Sequence, residues 1–338
     1  MLKPVAVALA VASVSVACAT PDTRPPLETG LQAIASAISE TMRAHHYDPA
    51  VLASAEYAAL EQRVDALAAS APSTEEFITG FNAIWGDGPF SHVDLQVGQA
   101  SAADTAATLD TIRVGGDGAR LSWDDDIAVL TVTTMMGLDT IEQIEAAYAE
   151  VDRRGARALI IDLRENRGGA FAIRPLVGHA IETPLDAGVF VSQGWAAERG
   201  GYPTREETEE VEPWEGWSIV RFWRDAQKNR FTRVQFAPLS PTYGGPIYVL
   251  VGKRTASVAE LASDALQASG RASLIGETTA GEMLSQKMYD LPQGLLLSLP
   301  IADYYAFHSG RIEGTGVTPD VRSEAESAMG IALGRARQ

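Results

Sequence analysis

The sequence of 338 residues contains one cysteine, Cys18, and only five histidines. A single cysteine excludes an intramolecular disulfide, so the stability of the fold must come from its core. No group of histidines and cysteines has the spacing of a metal site, and no stretch matches a P-loop or a dinucleotide-binding fingerprint. We therefore expect neither a metal nor another cofactor.

Basic residues are also few. The chain has 27 Lys and Arg and 44 Asp and Glu, which give a formal net charge of -17. Such a charge disfavours nucleic acid and an anionic membrane surface as partners. With 46% hydrophobic and 21% charged residues, the composition is typical of a globular protein with a large core. The charge gives no information on the oligomeric state.

The first residues have the pattern of an export signal. Lys3 precedes an apolar stretch, and small residues follow as far as Cys18. We interpret residues 1–19 as a signal peptide, in which Cys18 belongs to a lipoprotein-like box or Ala17-Cys18-Ala19 forms an ordinary cleavage site. Lipidation is favoured because a mature exported protein has no evident use for a lone thiol. The protein is then a periplasmic or outer-membrane-associated lipoprotein, attached through Cys18, or it is secreted.

The rest of the chain divides by pattern. Residues 20–29 are rich in proline and predict a linker, and apolar residues at helical spacing predict a helical N-terminal domain over 30–90. Alternating strands and helices predict an α/β core over 91–325, followed by a C-terminal tail at 326–338. An insertion at about 186–245 holds four of the six tryptophans, and these either line a cleft or form a satellite core.

Strands within the core are predicted from β-branched and apolar runs. Buried strands are expected at 127–133, 157–162 and 247–251, and a further strand at 111–114. Helical patterns alternate with these runs, which is typical of crossover units on a largely parallel sheet.

A serine follows one of these strands. The apolar run 247–251 ends at Gly252, and a helical pattern opens near Ser257. Free backbone N–H groups at a helix N-terminus stabilise an oxyanion in front of a nucleophile. A helix-capping serine is the ordinary alternative and is favoured when this segment is considered alone.

Three further segments carry candidate residues. Ser91 and His92 lie in a loop at the seam between the helical and α/β regions, where clefts form. Gly168 and Gly169 follow the strand that ends at 162, and such glycines permit close approach of a substrate. Glu313 lies in a glycine-punctuated segment near the C-terminus. Each has an ordinary alternative as a loop or turn residue.

Together these segments resemble peptidase family S41, which includes the C-terminal processing peptidases and the core of the tricorn protease. Five motifs occur in the family's order: Ser91-His92, Asp162 to Gly169, Thr255 to Glu260, Gly276 to Gly281, and Glu313 to Asp320. The resemblance covers roughly residues 30 to 322. It implies a crotonase/ClpP-like α/β core and serine-peptidase activity on a peptide or protein substrate.

The resemblance also implies which residues act. C-terminal processing peptidases use a Ser-Lys dyad, but Glu282 stands where their lysine is expected, and Lys287 is displaced by five residues. The interval before residue 127 is too short for their PDZ domain. The tricorn-type tetrad is complete, which implies Ser257 as nucleophile and His92 as general base, with Ser91 and Glu313 orienting the histidine. Backbone N–H groups of Val258 and of Gly168 or Gly169 are the implied oxyanion hole.

Two other functions stay open at this point. An esterase or amidase would use the same acyl transfer, and retinoid-binding relatives of the same branch make a non-catalytic binder of an apolar ligand the third alternative. The substrate is not evident from the sequence. Asp186, Glu198 and the acidic run near Glu209 would select basic side chains, or they form a solvated surface.

Overall fold

The structure is a computed structural model that describes residues 30–199 and 201–338, so the predicted signal peptide and linker lie outside the described residues. Its helices and strands, in chain order, are α1 Leu31–His45, α2 Pro49–Leu52, α3 Ala55–Ser70, α4 Thr74–Trp85, β1 Asp94–Val97, α5 Ala102–Leu109, β2 Ala119–Asp124, β3 Ile127–Val132, α6 Leu138–Arg154, β4 Ala158–Asp162, α7 Ile173–Gly178, β5 Leu185–Ser192, α8 Gln193–Glu198, α9 Arg205–Glu209, α10 Ile219–Lys228, β6 Phe231–Phe236, β7 Ile247–Val251, α11 Val258–Ala268, β8 Ala272–Gly276, β9 Leu284–Leu291, β10 Leu295–Ala306, β11 Gly310–Arg311, β12 Val321–Arg322 and α12 Ala325–Ala336.

The first sheet has the order β12-β8-β7-β4-β3-β2 and is parallel except for the hairpin of β2 and β3. Its central strands β3, β4 and β7 are almost wholly buried, because helices cover both faces and every position of such a strand must be apolar. The carboxyl ends of β4 and β7 meet at one edge, so the loops after residues 162 and 251 lie side by side. The predicted α/β class is confirmed.

The second sheet is antiparallel, which the prediction of a largely parallel sheet missed. Its path is β1-β10-β5-β6, and β9 and β11 also pair with β10. The strand β10 has twelve residues that are nearly all buried. Its run of leucines gives no alternation of apolar and polar residues, because the N-terminal helices and the main core cover its two faces.

The helical N-terminal region packs against the second sheet. Phe77 and Phe81 of α4 are fully buried in a cluster that includes Leu297 of β10. The side chain of Asn82 on α4 donates to the carbonyl of Leu95 on β1 and accepts from its N–H, both at 2.9 Å. This pair fixes the end of α4 to β1, and the loop that carries Ser91 and His92 connects them.

Two predicted segments differ in the structure. Residues 111–114 form no strand, because the N–H groups of Val114 and Gly115 donate to the carboxylate of Asp139 at the start of α6. Most of the predicted tail, 326–338, is the helix α12, whose alanines pack beneath the first sheet. Small side chains at helical spacing permit this close contact. None of the helices in the described part of the chain combines the length and apolar composition that crossing a membrane requires.

Candidate active site

Ser257 stands at the turn from β7 into α11, as the spacing of apolar residues predicted. Its backbone has φ 55° and ψ -128°, a conformation that non-glycine residues rarely adopt. The cost of such a conformation is about 1–3 kcal/mol, and functional sites are where it is commonly retained. The preceding loop is fixed by Thr255, whose hydroxyl donates to the Leu163 carbonyl at 2.9 Å and accepts from the Gly252 N–H at 3.0 Å.

Glu260, in the first turn of α11, holds the serine turn in place. Its buried carboxylate accepts from the N–H of Ser257 at 3.0 Å, of Gly281 at 2.7 Å and of Glu282 at 2.9 Å, and from the hydroxyl of Thr279 at 2.5 Å. Burial raises the pKa of Glu260 to about 7, and the four hydrogen bonds oppose that rise. In the sequence this glutamate is visible only as part of the motif from Thr255 to Glu260, because three of its four partners lie about twenty residues further along the chain.

Ser91, His92 and Glu313 are joined by hydrogen bonds although the glutamate is more than 200 residues from the others in sequence. The Ser91 hydroxyl lies 2.5 Å from His92 Nδ1 and 3.1 Å from Glu313 Oε2. Glu313 Oε1 accepts the Ser91 N–H at 2.9 Å, and Oε2 accepts the Met283 N–H at 2.7 Å. Burial raises the pKa of Glu313. The Ser91 hydroxyl and the N–H groups of Ser91 and Met283 all point at this carboxyl group, so it acts as a hydrogen-bond acceptor.

His92 has an unusual backbone and a low basicity. Its φ of 64° lies in the left-handed region, and burial lowers the pKa of the imidazole to about 4. His92 and Ser257 line the same cleft, but in the part of the chain that the structure describes no hydrogen bond joins them. Catalytic hydrogen bonds are often long before substrate binds, so this geometry is compatible with proton transfer.

The two glycines of the loop after β4 differ in their bonding. The Gly168 N–H donates to the Asn166 side chain at 2.8 Å, and the Gly168 carbonyl accepts from Met135. Gly169 makes a parallel bridge with Met135, in which the Gly169 N–H points away from its partner. Gly169 and Val258 both line the cleft, and neither backbone N–H has an acceptor among the described residues.

The segment after Gly281 connects the serine to the histidine group. The Glu282 carbonyl accepts the Ser257 N–H at 2.9 Å, and the Gly281 carbonyl accepts the Gly314 N–H at 2.8 Å. Lys287 is directed elsewhere, since its Nζ donates to Gln227 at 2.9 Å. Lys287, which is displaced by five residues in the sequence, is therefore also bonded to Gln227 and not to Ser257 in the structure.

The cleft has a volume of about 670 Å³ and mostly apolar walls. Trp214, Phe222 and Trp223, from the segment predicted as an insertion, line it, whereas Trp195 packs in a separate cluster with Phe231. Some aromatic residues of this segment thus line the cleft and another belongs to a satellite core, so both predicted alternatives occur. Among the described residues, no group of three or more His, Cys, Asp or Glu side chains is placed to hold a metal ion.

The acidic side chains considered for selecting basic substrates are engaged in ion pairs. Asp186 holds Arg233 through two hydrogen bonds of 2.9 and 2.8 Å. Glu198 pairs with Arg230, and Glu209 pairs with Arg205 at 3.2 Å. These contacts favour the alternative in which the acids belong to the protein's own surface.

Comparison with known proteins gives one family and one fold. The model of peptidase family S41 matches residues 126–323. A carboxyl-terminal-processing protease of Synechocystis is 28% identical over 179 residues, which are 53% of this chain and 34% of that protein. The chain spans about a third of the length of the curated relatives it matches.

Two solved structures have the same fold. A lipoprotein from Streptococcus agalactiae superposes with a TM-score of 0.56 at 15% identity, covering 93% of this chain and 99% of that one. The photosystem II D1 C-terminal processing protease gives 0.54 at 15% identity, with 91% and 97% covered. At this level of identity the likeness concerns the fold alone.

Proposed function

Because the chain belongs to peptidase family S41, we propose that it is a serine peptidase that cleaves peptide or protein substrates through an acyl-enzyme, with Ser257 as nucleophile. The observation that carries this proposal is the hydrogen-bonded group of Ser91, His92 and Glu313 in the cleft that Ser257 lines. A protein that only binds a ligand has no need for a neutral imidazole oriented in this way.

The hydrogen bonds support His92 Nε2 as the general base. Ser91 has one hydroxyl proton, and it is donated to the Glu313 carboxylate, which can only accept. The contact of 2.5 Å between the Ser91 hydroxyl and His92 Nδ1 then requires the proton on Nδ1. This tautomer leaves the lone pair on Nε2, and Glu313 stabilises the imidazolium that forms when Nε2 takes a proton.

The oxyanion hole is proposed to consist of the N–H groups of Val258 and Gly169. Both lack an acceptor in the described chain, whereas the Gly168 N–H is already used by Asn166. Gly168 contributes by its size, because a Cβ at that position would lie 2.6 Å from the Ser257 Cβ. Two such donors stabilise the charge that develops on the carbonyl oxygen.

The reaction follows from these positions. Ser257 Oγ bonds to the carbonyl carbon of the scissile peptide as its proton passes to His92 Nε2, and the carbonyl oxygen becomes an oxyanion. The same proton is then given to the leaving amine when the C–N bond breaks, which leaves an ester on Ser257. A water molecule then attacks the ester as its proton passes to His92. His92 returns this proton to Ser257 Oγ when the ester bond breaks and the product acid leaves.

We also propose export, with attachment to a membrane through a lipid on Cys18. The support is the pattern of the first residues, with Lys3, the apolar stretch and the small residues before Cys18. In a bacterial host, the wild-type protein should enter the membrane fraction and take up a labelled fatty acid. Cys18→Ser should abolish the label, and a labelled Cys18→Ser protein would contradict lipidation at that position.

The catalytic proposal is tested by labelling the purified protein with a fluorophosphonate probe, which reacts with activated serines. Wild type should be labelled, and both Ser257→Ala and His92→Ala should lose the label while keeping a cooperative thermal transition. Cleavage of peptides by the unlabelled wild-type protein distinguishes a peptidase from an esterase. A folded wild type that neither reacts with the probe nor cleaves peptides would favour the non-catalytic binder.

A further inference from the structure

Among the described residues, two arginines of the cleft, Arg174 and Arg167, have no ion pair with a carboxylate, and Arg174 is the one that lies over aromatic rings. Arg174, on α7, lines the cleft and is half-buried, and in the described part of the chain no carboxylate lies within ion-pair distance of its guanidinium. Among the described residues, its guanidinium makes one hydrogen bond, to the Trp214 carbonyl at 3.4 Å. A guanidinium has five N–H donors, so most of its capacity is unused.

Two further basic side chains of the cleft, Arg233 and Lys253, form ion pairs within the protein. Arg233 is held by Asp186 through two hydrogen bonds, and Lys253 pairs with Glu277 at 2.6 Å. In a chain with a net charge of -17, an unpaired and partly desolvated guanidinium in the cleft is a candidate for binding an anionic ligand.

Aromatic rings keep the guanidinium in a fixed position. Its carbon lies 5.0 Å from the ring centre of Trp217, 5.6 Å from that of Trp214 and 6.0 Å from that of Phe171. Phe171 and Trp214 are stacked, with an interplanar angle of 11°. Such contacts stabilise a cation without neutralising it, so the charge stays available to a ligand.

In the described part of the chain, the acidic side chains near Arg174 do not neutralise its guanidinium by an ion pair. Burial lowers the pKa of Arg174, and exposed Glu215 is the acid that acts in the opposite direction. A partly buried guanidinium gains most from a carboxylate that accepts two of its parallel N–H bonds.

Arg174 also lies close to the proposed oxyanion hole in sequence. It is the fifth residue after Gly169, so their Cα atoms are at most about 18 Å apart, the span of about five extended residues. A peptide bound at Ser257 would therefore bring a group within a few residues of its scissile bond to the guanidinium.

We propose that Arg174 is a specificity-determining residue that binds a carboxylate of the peptide substrate, within about five residues of the bond cleaved at Ser257. The carboxylate is either the C-terminal carboxylate of the peptide or the side chain of an Asp or Glu. The apolar walls of the cleft bind the neighbouring side chains. This inference rests on the proposed peptidase function, and it names the chemistry that the substrate carries.

The test uses the folded Ser257→Ala protein, which binds peptide without cleaving it, and a set of four fluorescent peptides of apolar sequence. The peptides combine a free or amidated C-terminus with an internal Glu or Gln. Fluorescence anisotropy should show that one carboxylate source improves affinity by at least about tenfold, equivalent to about 1.4 kcal/mol. The pair of peptides that shows the difference identifies the source.

Adding Arg174→Gln to this protein should reduce the preference to within about twofold, and Arg174→Lys should leave an intermediate preference because a lysine lacks the planar pair of donors. Arg221→Gln is the matched control. Arg221 also lies over the Trp214 ring, at 5.8 Å, but it pairs with Asp225 at 3.4 Å and lies outside the cleft lining. It should keep the full preference.

Three results would overturn the proposal. The first is no preference among the four peptides, and the second is a preference that survives Arg174→Gln. The third is a preference removed by the same change at Arg167, the other arginine of the cleft without a carboxylate partner in the described chain. Fluorophosphonate labelling separates these failures from failure of the peptidase proposal. In the Ser257 background, Arg174→Gln should be labelled as fast as wild type. Loss of labelling in that variant would assign Arg174 to serine reactivity instead of specificity.

Discussion

Glu260 gives the sharpest test of how the serine turn is held. Each of its oxygens accepts two hydrogen bonds: Oε1 from Gly281 N–H and the Thr279 hydroxyl, and Oε2 from the N–H groups of Ser257 and Glu282. Glu260→Gln preserves the shape but replaces one oxygen by an NH2 group. Whichever oxygen is lost, at least one buried backbone N–H then faces another donor.

The cost follows from that count. Rotation of the Gln amide onto the Oε1 side opposes the Gly281 N–H, and Thr279 already accepts the Val317 N–H at 2.6 Å, so it has little capacity left. One or two unsatisfied buried donors at about 1–3 kcal/mol each predict a loss of about 1–6 kcal/mol in the free energy of unfolding. Displacement of the turn should also slow fluorophosphonate labelling by at least about tenfold.

The measurement is urea-induced equilibrium unfolding at pH 8, where a carboxyl group with a pKa of about 7 is mostly ionised. Glu150→Gln makes the same chemical change in an exposed pair with Arg153 on α6, and its effect on the free energy of unfolding should be small. If Glu260→Gln and Glu150→Gln agreed within about 0.5 kcal/mol, the assignment of Glu260 as an obligatory acceptor would be wrong.

Three further predictions concern the chemistry. Because burial lowers the pKa of His92 to about 4 and the base must be neutral, kcat/KM should persist below pH 6 and fall on acidification towards about pH 4; an acid limb at about 6.5 would refute a buried His92 as base. Ser91→Ala removes the hydroxyl between His92 and Glu313 but keeps the Ser91 N–H contact, so kcat should fall by about 10²-fold with little change in KM; a kcat within twofold of wild type would exclude its orienting role. Glu282→Ala keeps the backbone carbonyl that binds the Ser257 N–H, so kcat/KM should change by no more than about threefold, and a larger loss in steady-state assays would give the Glu282 side chain a part in the reaction.

Local patterns in the sequence were enough for many elements of the fold. The β-branched run ending at residue 132 and the apolar run ending at 251 are strands because a parallel strand buried on both faces must be apolar throughout. The position of Ser257 between a strand and a helix could be predicted in the same way. The long strand β10 could not be assigned, since its apolar run is compatible with either a buried strand or a buried helix.

Contacts between residues that are far apart along the chain could not be predicted from the sequence. Glu313 could equally have been an ordinary turn residue, and its hydrogen bonds to Ser91 and Met283 span 222 and 30 residues. The difference between Gly168 and Gly169 depends on Asn166 and on the bridge to Met135, and neither can be inferred from two adjacent glycines.

The sequence by itself determined the α/β class, the order of the main strands and the residue types available for acyl transfer, because periodicity and motif spacing are local properties of the chain. Only the tertiary structure decided which of these residues share a cleft and, within the residues it describes, which N–H groups lack acceptors and that Arg174 lacks an acidic partner. Hydrogen bonds and ion pairs act over a few ångströms, and the packing of the two sheets determines which distant residues come within that range.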